Sequence, residues 1–179
     1  MKNFLRTTVF AVALAVAALP AAATTSTVKD LSSLERQVRH ELIMLPFLSV
    51  FDNLQFQVDG PNVVLSGQVA RPSLKTSAER VVARIEGVSN VDNRIEVLPT
   101  SFQDDRLRRA VLRSVYGNSV LNRYALGANP SIRIIVKNGD VTLEGVVARE
   151  MDRNVAFIQA NGVSGVFSVT NNLRVENAG

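Results

Sequence analysis

The sequence predicts an α+β fold of two tandem αββαβ units, each a small three-stranded sheet covered on one face by two helices. Three observations predict it. The chain repeats itself, and each copy runs through helix-like and strand-like periodicity in the same order. In addition, 46% of the 179 residues are hydrophobic and 20% are charged, which is typical of a globular chain rather than a disordered one. That length allows one or two small domains.

The repeat aligns residues 56–97 with residues 134–175 at a constant offset of 78 and without a gap, and 13 of the 42 aligned positions are identical. Upstream, the apolar positions match at an offset of 73, so the second copy carries about five extra residues in its first loop. A repeat of this size predicts two structurally equivalent units. We place unit one at residues 30–99 and unit two at residues 102–176.

Residues 1–23 predict a cleaved export signal. Lys2 and Arg6 precede an apolar run that ends in the small residues Ala21–Ala23. The run is shorter than the roughly 20 residues that cross a bilayer, which argues against the alternative of a membrane anchor. We expect cleavage after Ala23 and a periplasmic protein, not lipid-anchored because the sequence has no cysteine. Loss of two basic residues lowers the net charge from +4 to +2, so charge does not favour a nucleic-acid partner.

Each unit begins with a predicted helix, because apolar residues recur at spacings of three and four. In unit one these are Leu31, Leu34, Val38, Leu42 and Leu45, and in unit two Leu107, Ala110, Val111 and Val115. Asp30 is the expected cap of the first helix, and either Asp104 or Asp105 that of the second. Pro46 and Gly117 mark the expected breaks.

A hairpin follows in both units. Strict alternation predicts strands at Leu54–Val58 and Ile132–Val136, and Asn138-Gly139 is a strong signal for a tight turn in unit two. The inward positions of the next strands are Val63, Leu65 and Val69 in unit one and Val141, Leu143 and Val147 in unit two. Gly67 and Gly145 share these faces, so we expect them to let a helix approach the sheet closely.

A second helix and a last strand close each unit. The helix of unit one carries one continuous apolar face, Leu74, Ala78, Val81, Val82 and Ile85, whereas that of unit two is less regular. Gly87 and Gly165 suit helix C-caps. Alternation predicts the last strands at Val91–Val97 and Val169–Val175.

Unit two reads V-x-N-G-x-V-T-L-x-G-x-V from Val136 to Val147, then Gly165-Val166, then V-x-N-x-L-x-V from Val169 to Val175. This pattern resembles the BON domain, named for bacterial OsmY and nodulation proteins. Unit one departs mildly, with Val64 in place of Thr and Ile95 in place of Leu. The resemblance implies an exported OsmY-like protein that binds phospholipid or envelope surfaces in envelope maintenance or osmotic stress. It carries no shared catalytic residues.

Little in the sequence supports catalysis, a cofactor or a metal site. Cysteine is absent, His40 is the single histidine, and there is no G-x-S-x-G elbow or glycine-rich phosphate loop. His40 is either a pH-sensitive contact or, as we favour, a solvated helix residue. The neighbouring acids Asp104 and Asp105 are better explained by the start of a helix than by acid–base chemistry.

The best positive signal is a group of arginines in the first helix of unit two. Arg106, Arg109 and Arg113 share a face at spacings of three and four, and we add Arg108 and Arg123 as further candidates. Guanidinium groups bind phosphate oxygens in a fork, so this face predicts docking on an anionic phospholipid surface. An ordinary solvated helix face explains the same pattern.

An alternative function is an envelope scaffold that binds a protein and has no direct contact with lipid. The apolar loop Leu45–Phe51 either inserts at a membrane, grips a partner or, as we favour, closes the edge of the core. An exposed apolar patch built from Phe47, Phe51 or the outward Val64 and Val146 would favour a protein partner. We expect Tyr124 at an interface between the units.

Overall fold

A computed structural model describes residues 22–127 and 129–176, with side chains from residue 33 onward, and confirms the α+β fold. Unit one consists of α1 (Ala22–Ile43), β1 (Asn53–Asp59), β2 (Asn62–Val69), α2 (Pro72–Val82), β3 (Asn90–Asn93) and β4 (Glu96–Val97). Unit two consists of α3 (Phe102–Tyr116), a 3₁₀ turn (Asn122–Ala125), β5 (Ile132–Lys137), β6 (Asp140–Val147), α4 (Glu150–Asn161) and β7 (Ser168–Val175). The predicted export signal lies almost wholly outside the described residues.

The two sheets share one topology. In each, the middle strand pairs antiparallel with the strand before it and parallel with the last strand. Phe56 faces Leu65 in unit one and Ile134 faces Leu143 in unit two, so the offset of 78 holds for the strand register. The last strand of unit one is split into β3 and β4, which gives that sheet four strands instead of the three expected.

The apolar periodicity correctly predicts the two cores. The inward residues of β2 and β6 are at most 1% exposed, and these are Val63, Leu65, Val69, Val141, Leu143 and Val147. The apolar faces of the first helices pack beneath them. The buried residues of these faces are Leu34, Val38 and Leu42 in α1 and Leu107, Val111 and Val115 in α3. Each unit therefore has a core of its own.

The repeated asparagine of the last strand fastens that strand to the second helix. The side-chain amide of Asn93 donates to the carbonyl oxygen of Lys75 at 3.0 Å, and that of Asn171 donates to Arg153 at 2.9 Å. The Asn93 side-chain oxygen accepts from the backbone of Ile95 at 3.2 Å, two residues on. These bonds explain physically why V-x-N recurs in both units.

The expected caps are wrong at both first helices. α1 begins at Ala22, so Asp30 lies inside the helix. At α3 the N-cap is Ser101, whose hydroxyl accepts from the backbone N–H of Asp104 at 3.2 Å. The Asp104 carboxylate instead accepts from the backbone N–H groups of Asn138 and Gly139, each at 2.9 Å. It therefore fastens α3 to the β5–β6 turn.

The predicted role of the inward glycines is also wrong. A Cβ on Gly145 would overlap the carbonyl oxygen of Ser131, and a Cβ on Gly67 would overlap that of Asn53. These nearest atoms belong to the neighbouring strand segment and not to a helix. Gly67 and Gly145 also have φ angles of +103° and +126°, which strain any residue with a side chain. A side chain is thus excluded at both positions because the backbone of the neighbouring strand segment lies too close.

Gly87 and Gly165 are not helix C-caps. Their φ angles are +91° and +92°, as a left-handed cap would require, but α2 already ends at Val82 and α4 at Asn161. Both glycines lie in the turn that leads to the last strand. Both glycines therefore have a backbone conformation typical of a C-cap, but each helix ends before it reaches them.

A short segment of unit one joins the edge of the sheet in unit two. The backbone N–H of Ile134 donates to the carbonyl oxygen of Val50 at 2.9 Å, and the Arg133 guanidinium donates to that of Ser49 at 2.9 Å. Val50 and Phe51 also pack against the core of unit two. Most of the apolar loop thus serves the core, as favoured from sequence, and it does so across the two units.

Tyr116 makes the stability of unit two sensitive to high pH. Its hydroxyl donates to the carbonyl oxygen of Ile132 at 2.5 Å, and burial raises its pKa to about 12. The unfolded chain loses this proton near its ordinary pKa of about 10. The stabilisation is therefore complete below about pH 10 and is lost as the pH rises towards about 12.

We expect the melting temperature to fall over this range and to fall less steeply in Tyr116→Phe, which has no phenolic proton. Thermal unfolding followed by circular dichroism from pH 8 to pH 12 measures both slopes. Identical slopes in the two proteins would show that Tyr116 does not cause this loss of stability.

Candidate functional site

α3 presents a row of three exposed guanidinium groups, which we call the arginine face: Arg106, Arg109 and Arg113. The opposite side of the helix is buried at Leu107, Val111 and Val115, and this orients the row towards solvent. None of the three guanidinium groups bonds to another residue in the described part of the chain. The spacing therefore correctly predicts a shared, accessible face. Whether that face binds a ligand stays a prediction.

Arg108 does not belong to this face. Its side chain is buried, and its guanidinium donates to Asp105 at 2.5 Å and to the carbonyl oxygen of Val136 at 2.7 Å. Position 108 comes one turn after the buried Asp104 and one turn before Val111, so it points at the sheet. We therefore withdraw Arg108 from the candidate binding residues.

Arg123 lies in a polar cluster at the 3₁₀ turn. Its guanidinium forms an ion pair with Asp152, which is buried, and lies 4.9 Å from the ring centre of Tyr124. The Tyr124 hydroxyl bonds to Asp152 at 2.5 Å and accepts from the backbone N–H of Ala148 at 2.8 Å. Hydrogen bonds to Tyr124 and Asp152 raise the pKa of Arg123. These contacts lie within unit two, and the expected place of Tyr124 between the units stays a prediction.

The sequence reasoning missed two exposed aromatic rings at the end of unit two where α3 begins. Phe102 is 94% exposed and Phe167 is 87% exposed. Phe102 shares a shallow groove of about 420 Å³ with Arg106 and Gly165. The backbone of Phe167 donates to Gly139 at 2.9 Å, beside the turn that Asp104 holds. Phe102 does not lie on the face of its helix that carries the other apolar residues. This was the signal in the sequence that its ring could be exposed.

The residues of unit one whose side chains the structure describes form no equivalent of this surface. Its α1 mixes Glu35 and Glu41 with Arg36 and Arg39. The Arg39 guanidinium lies over the ring of Phe56, 5.5 Å from its centre. At the position of Phe167, 78 residues earlier, unit one has a serine. The arginine face with its neighbouring rings is thus specific to unit two.

The remaining sequence candidates form no joint site. His40 is exposed on α1, consistent with a solvated helix residue. Phe47 is 71% exposed, with the Arg71 guanidinium 5.5 Å from its ring centre. The other members of the proposed apolar patch, Phe51, Val64 and Val146, are half-buried. The patch that would have favoured a protein partner is therefore reduced to one ring.

Two further observations concern the described residues as a whole. No three of their His, Asp or Glu side chains are grouped as ligands for a metal ion. None of the helices in this part of the chain has the length and apolar character needed to cross a membrane.

A family model described as "BON domain" matches residues 29–99 and residues 104–177. No curated protein matches the chain significantly. Among solved structures, the C-terminal domain of CdsD, a structural protein of the type III secretion system of Chlamydia trachomatis, is 11% identical, with a TM-score of 0.31 over 80% of this chain and 97% of that chain. A second CdsD structure is 13% identical, with a TM-score of 0.29 over 81% and 94%.

Proposed function

From the premise that the chain belongs to the BON domain family, we propose that it is a non-enzymatic, envelope-associated binding protein that docks on anionic phospholipid surfaces. Docking takes place through the arginine face of unit two. The family match supports the envelope role, because both units match a domain typical of envelope-associated binding proteins. We place the protein in the periplasm, in envelope maintenance or stress.

The exposed arginine face is the observation that carries this proposal. Three guanidinium groups without a partner among the described residues stand on one helix of a chain whose net charge after the expected cleavage is +2. Each basic contact with an anionic surface contributes about 1 kcal/mol. Phe102 and Phe167 add to this, since aromatic rings favour the boundary between head groups and acyl chains.

An envelope scaffold that binds a protein is the second candidate. It is favoured by exposed apolar side chains on α4, where Met151 is 69% and Ile158 is 63% exposed. Exposed apolar surface of this kind marks protein–protein contacts when it is contiguous. The two candidates use different helices of unit two and can therefore be separated by substitution.

Vesicle co-sedimentation tests the lipid proposal. We expect weak binding to anionic vesicles and none to zwitterionic ones. Binding should fall as salt rises, because exposed charges are screened over about 8 Å at 0.15 M salt. Changing Arg106, Arg109 and Arg113 together to Gln should weaken binding by at most about 3 kcal/mol, or roughly a hundredfold.

The matched control changes Arg36 and Arg39 of α1 to Gln. Neighbouring Glu35 and Glu41 should blunt any effect there. Equal losses from the two sets would mean diffuse charge attraction instead of a site. No binding to anionic vesicles at low salt would remove the lipid proposal and leave the scaffold.

A further inference from the structure

β1 leaves one edge of the sheet in unit one open. β2 occupies the middle of that sheet, and β1 pairs with β2 alone. The backbone groups on its other side bond to nothing in the described part of the chain. The strand Asn53–Asp59 contains neither Lys nor Pro, two residues with which proteins commonly protect an edge. This edge is therefore available for a further strand.

The equivalent edge of unit two shows in which direction such an edge donates. There the N–H of Ile134 points away from β6 and donates to Val50 of unit one. Phe56 occupies the place of Ile134 in the repeat, since Phe56 faces Leu65 as Ile134 faces Leu143. The N–H of Phe56 therefore points outward as well. The outward N–H of Ile134 thus has a partner within the chain, whereas no partner among the described residues meets that of Phe56.

The open edge lines a groove of about 840 Å³ between the two units. Such a volume is within the range of about 300–1,000 Å³ found for ligand sites. Glu35 and Arg39 of α1 contribute to its walls on one side, and Glu144 and Arg174 of unit two on the other. Two acidic and two basic side chains balance each other. The groove consequently favours neither an anionic lipid nor a polycation, and it suits an uncharged main chain.

We propose that the open edge of β1 binds an extended, uncharged segment of a partner protein as an added strand in the groove between the units. Main-chain hydrogen bonds supply affinity in this mode of recognition, and β-branched side chains suit the strand conformation. The site lies on the β1 side, whereas the arginine face lies on α3, so peptide binding does not depend on lipid docking.

The test adds an acetylated and amidated hexapeptide, Thr-Val-Thr-Val-Thr-Val, to the ¹⁵N-labelled chain without residues 1–23. Binding is followed by NMR. We expect shifts confined to β1 and the groove. At saturation, exchange of the Phe56 amide with solvent should slow by about tenfold or more. A peptide N-methylated at every residue should not bind, because neither edge of its strand can then donate to β1. Equal binding of both peptides would overturn the proposal.

Two variants sharpen the result. Phe56→Pro removes the outward N–H, whereas Phe56→Val keeps it and removes the ring. The proposal requires binding to survive in the valine variant and to be lost in the proline variant. If the proline variant does not fold, the N-methylated peptide on the unaltered chain still decides. Chemical-shift changes centred on the free edge of β7 would place the peptide elsewhere. Concentration-dependent changes at β1 without peptide would indicate self-association through this edge. Either result would overturn the proposal.

Discussion

Gly145→Val should destabilise the fold strongly. The new side chain would overlap the carbonyl oxygen of Ser131, and overpacking of this kind costs about 1–3 kcal/mol. The φ angle of +126° adds about 1–3 kcal/mol, because valine is strained there. Thermal unfolding measures the loss, since each kcal/mol lowers the melting temperature by roughly 2–4 °C in a chain of this size.

Gly87→Val is the matched control for this prediction. Gly87 has a φ of +91°, but a Cβ there would meet no atom within 4 Å. It therefore keeps the backbone strain and lacks the overlap, and the difference between the two variants isolates contact with Ser131. Equal losses would show that conformation alone restricts position 145.

Asp104→Ala should have a comparable effect for a different reason. Its carboxylate is 1% exposed and accepts two backbone N–H groups, from Asn138 and Gly139. Hydrogen bonds to a charged group contribute about 1.5–3 kcal/mol each, so loss of both should cost about 3 kcal/mol or more. Urea denaturation measures the change in the free energy of unfolding.

Asp104→Asn provides a graded comparison, because its amide keeps one acceptor oxygen. We expect its stability to lie between those of the wild type and the alanine variant. Amide exchange at Asn138 and Gly139 should quicken in the same order. An alanine variant as stable as the wild type would show that the turn does not need this carboxylate.

The repeat and the apolar spacing were enough to predict the fold. Residues such as Val63, Leu65 and Val69 alternate because one face of a strand is buried, and burial is what the spacing records. The same residues set the register, since a slip of one residue would turn them to solvent. Agreement between two copies at an offset of 78 then fixed the equivalent residues of unit two.

The errors share a physical cause, which is that one local pattern fits two tertiary arrangements. An inward glycine accommodates either a close helix or a close strand, and at Gly145 it is the strand. An acid before a helix either caps it or reaches another element, and Asp104 reaches the β5–β6 turn. Arg108 differed: its place one turn from Val111 already indicated burial, although its charge suggested exposure.

The contact between Val50 and Ile134 bears on how such a chain can change over generations. Duplicated units are often gained, lost or exchanged singly, because each carries everything that it needs. Here the second unit takes Val50 and Phe51 from the first to complete its own interior. Deleting the first unit would uncover apolar surface and a strand edge in the second. We therefore expect the two copies to be gained or lost together.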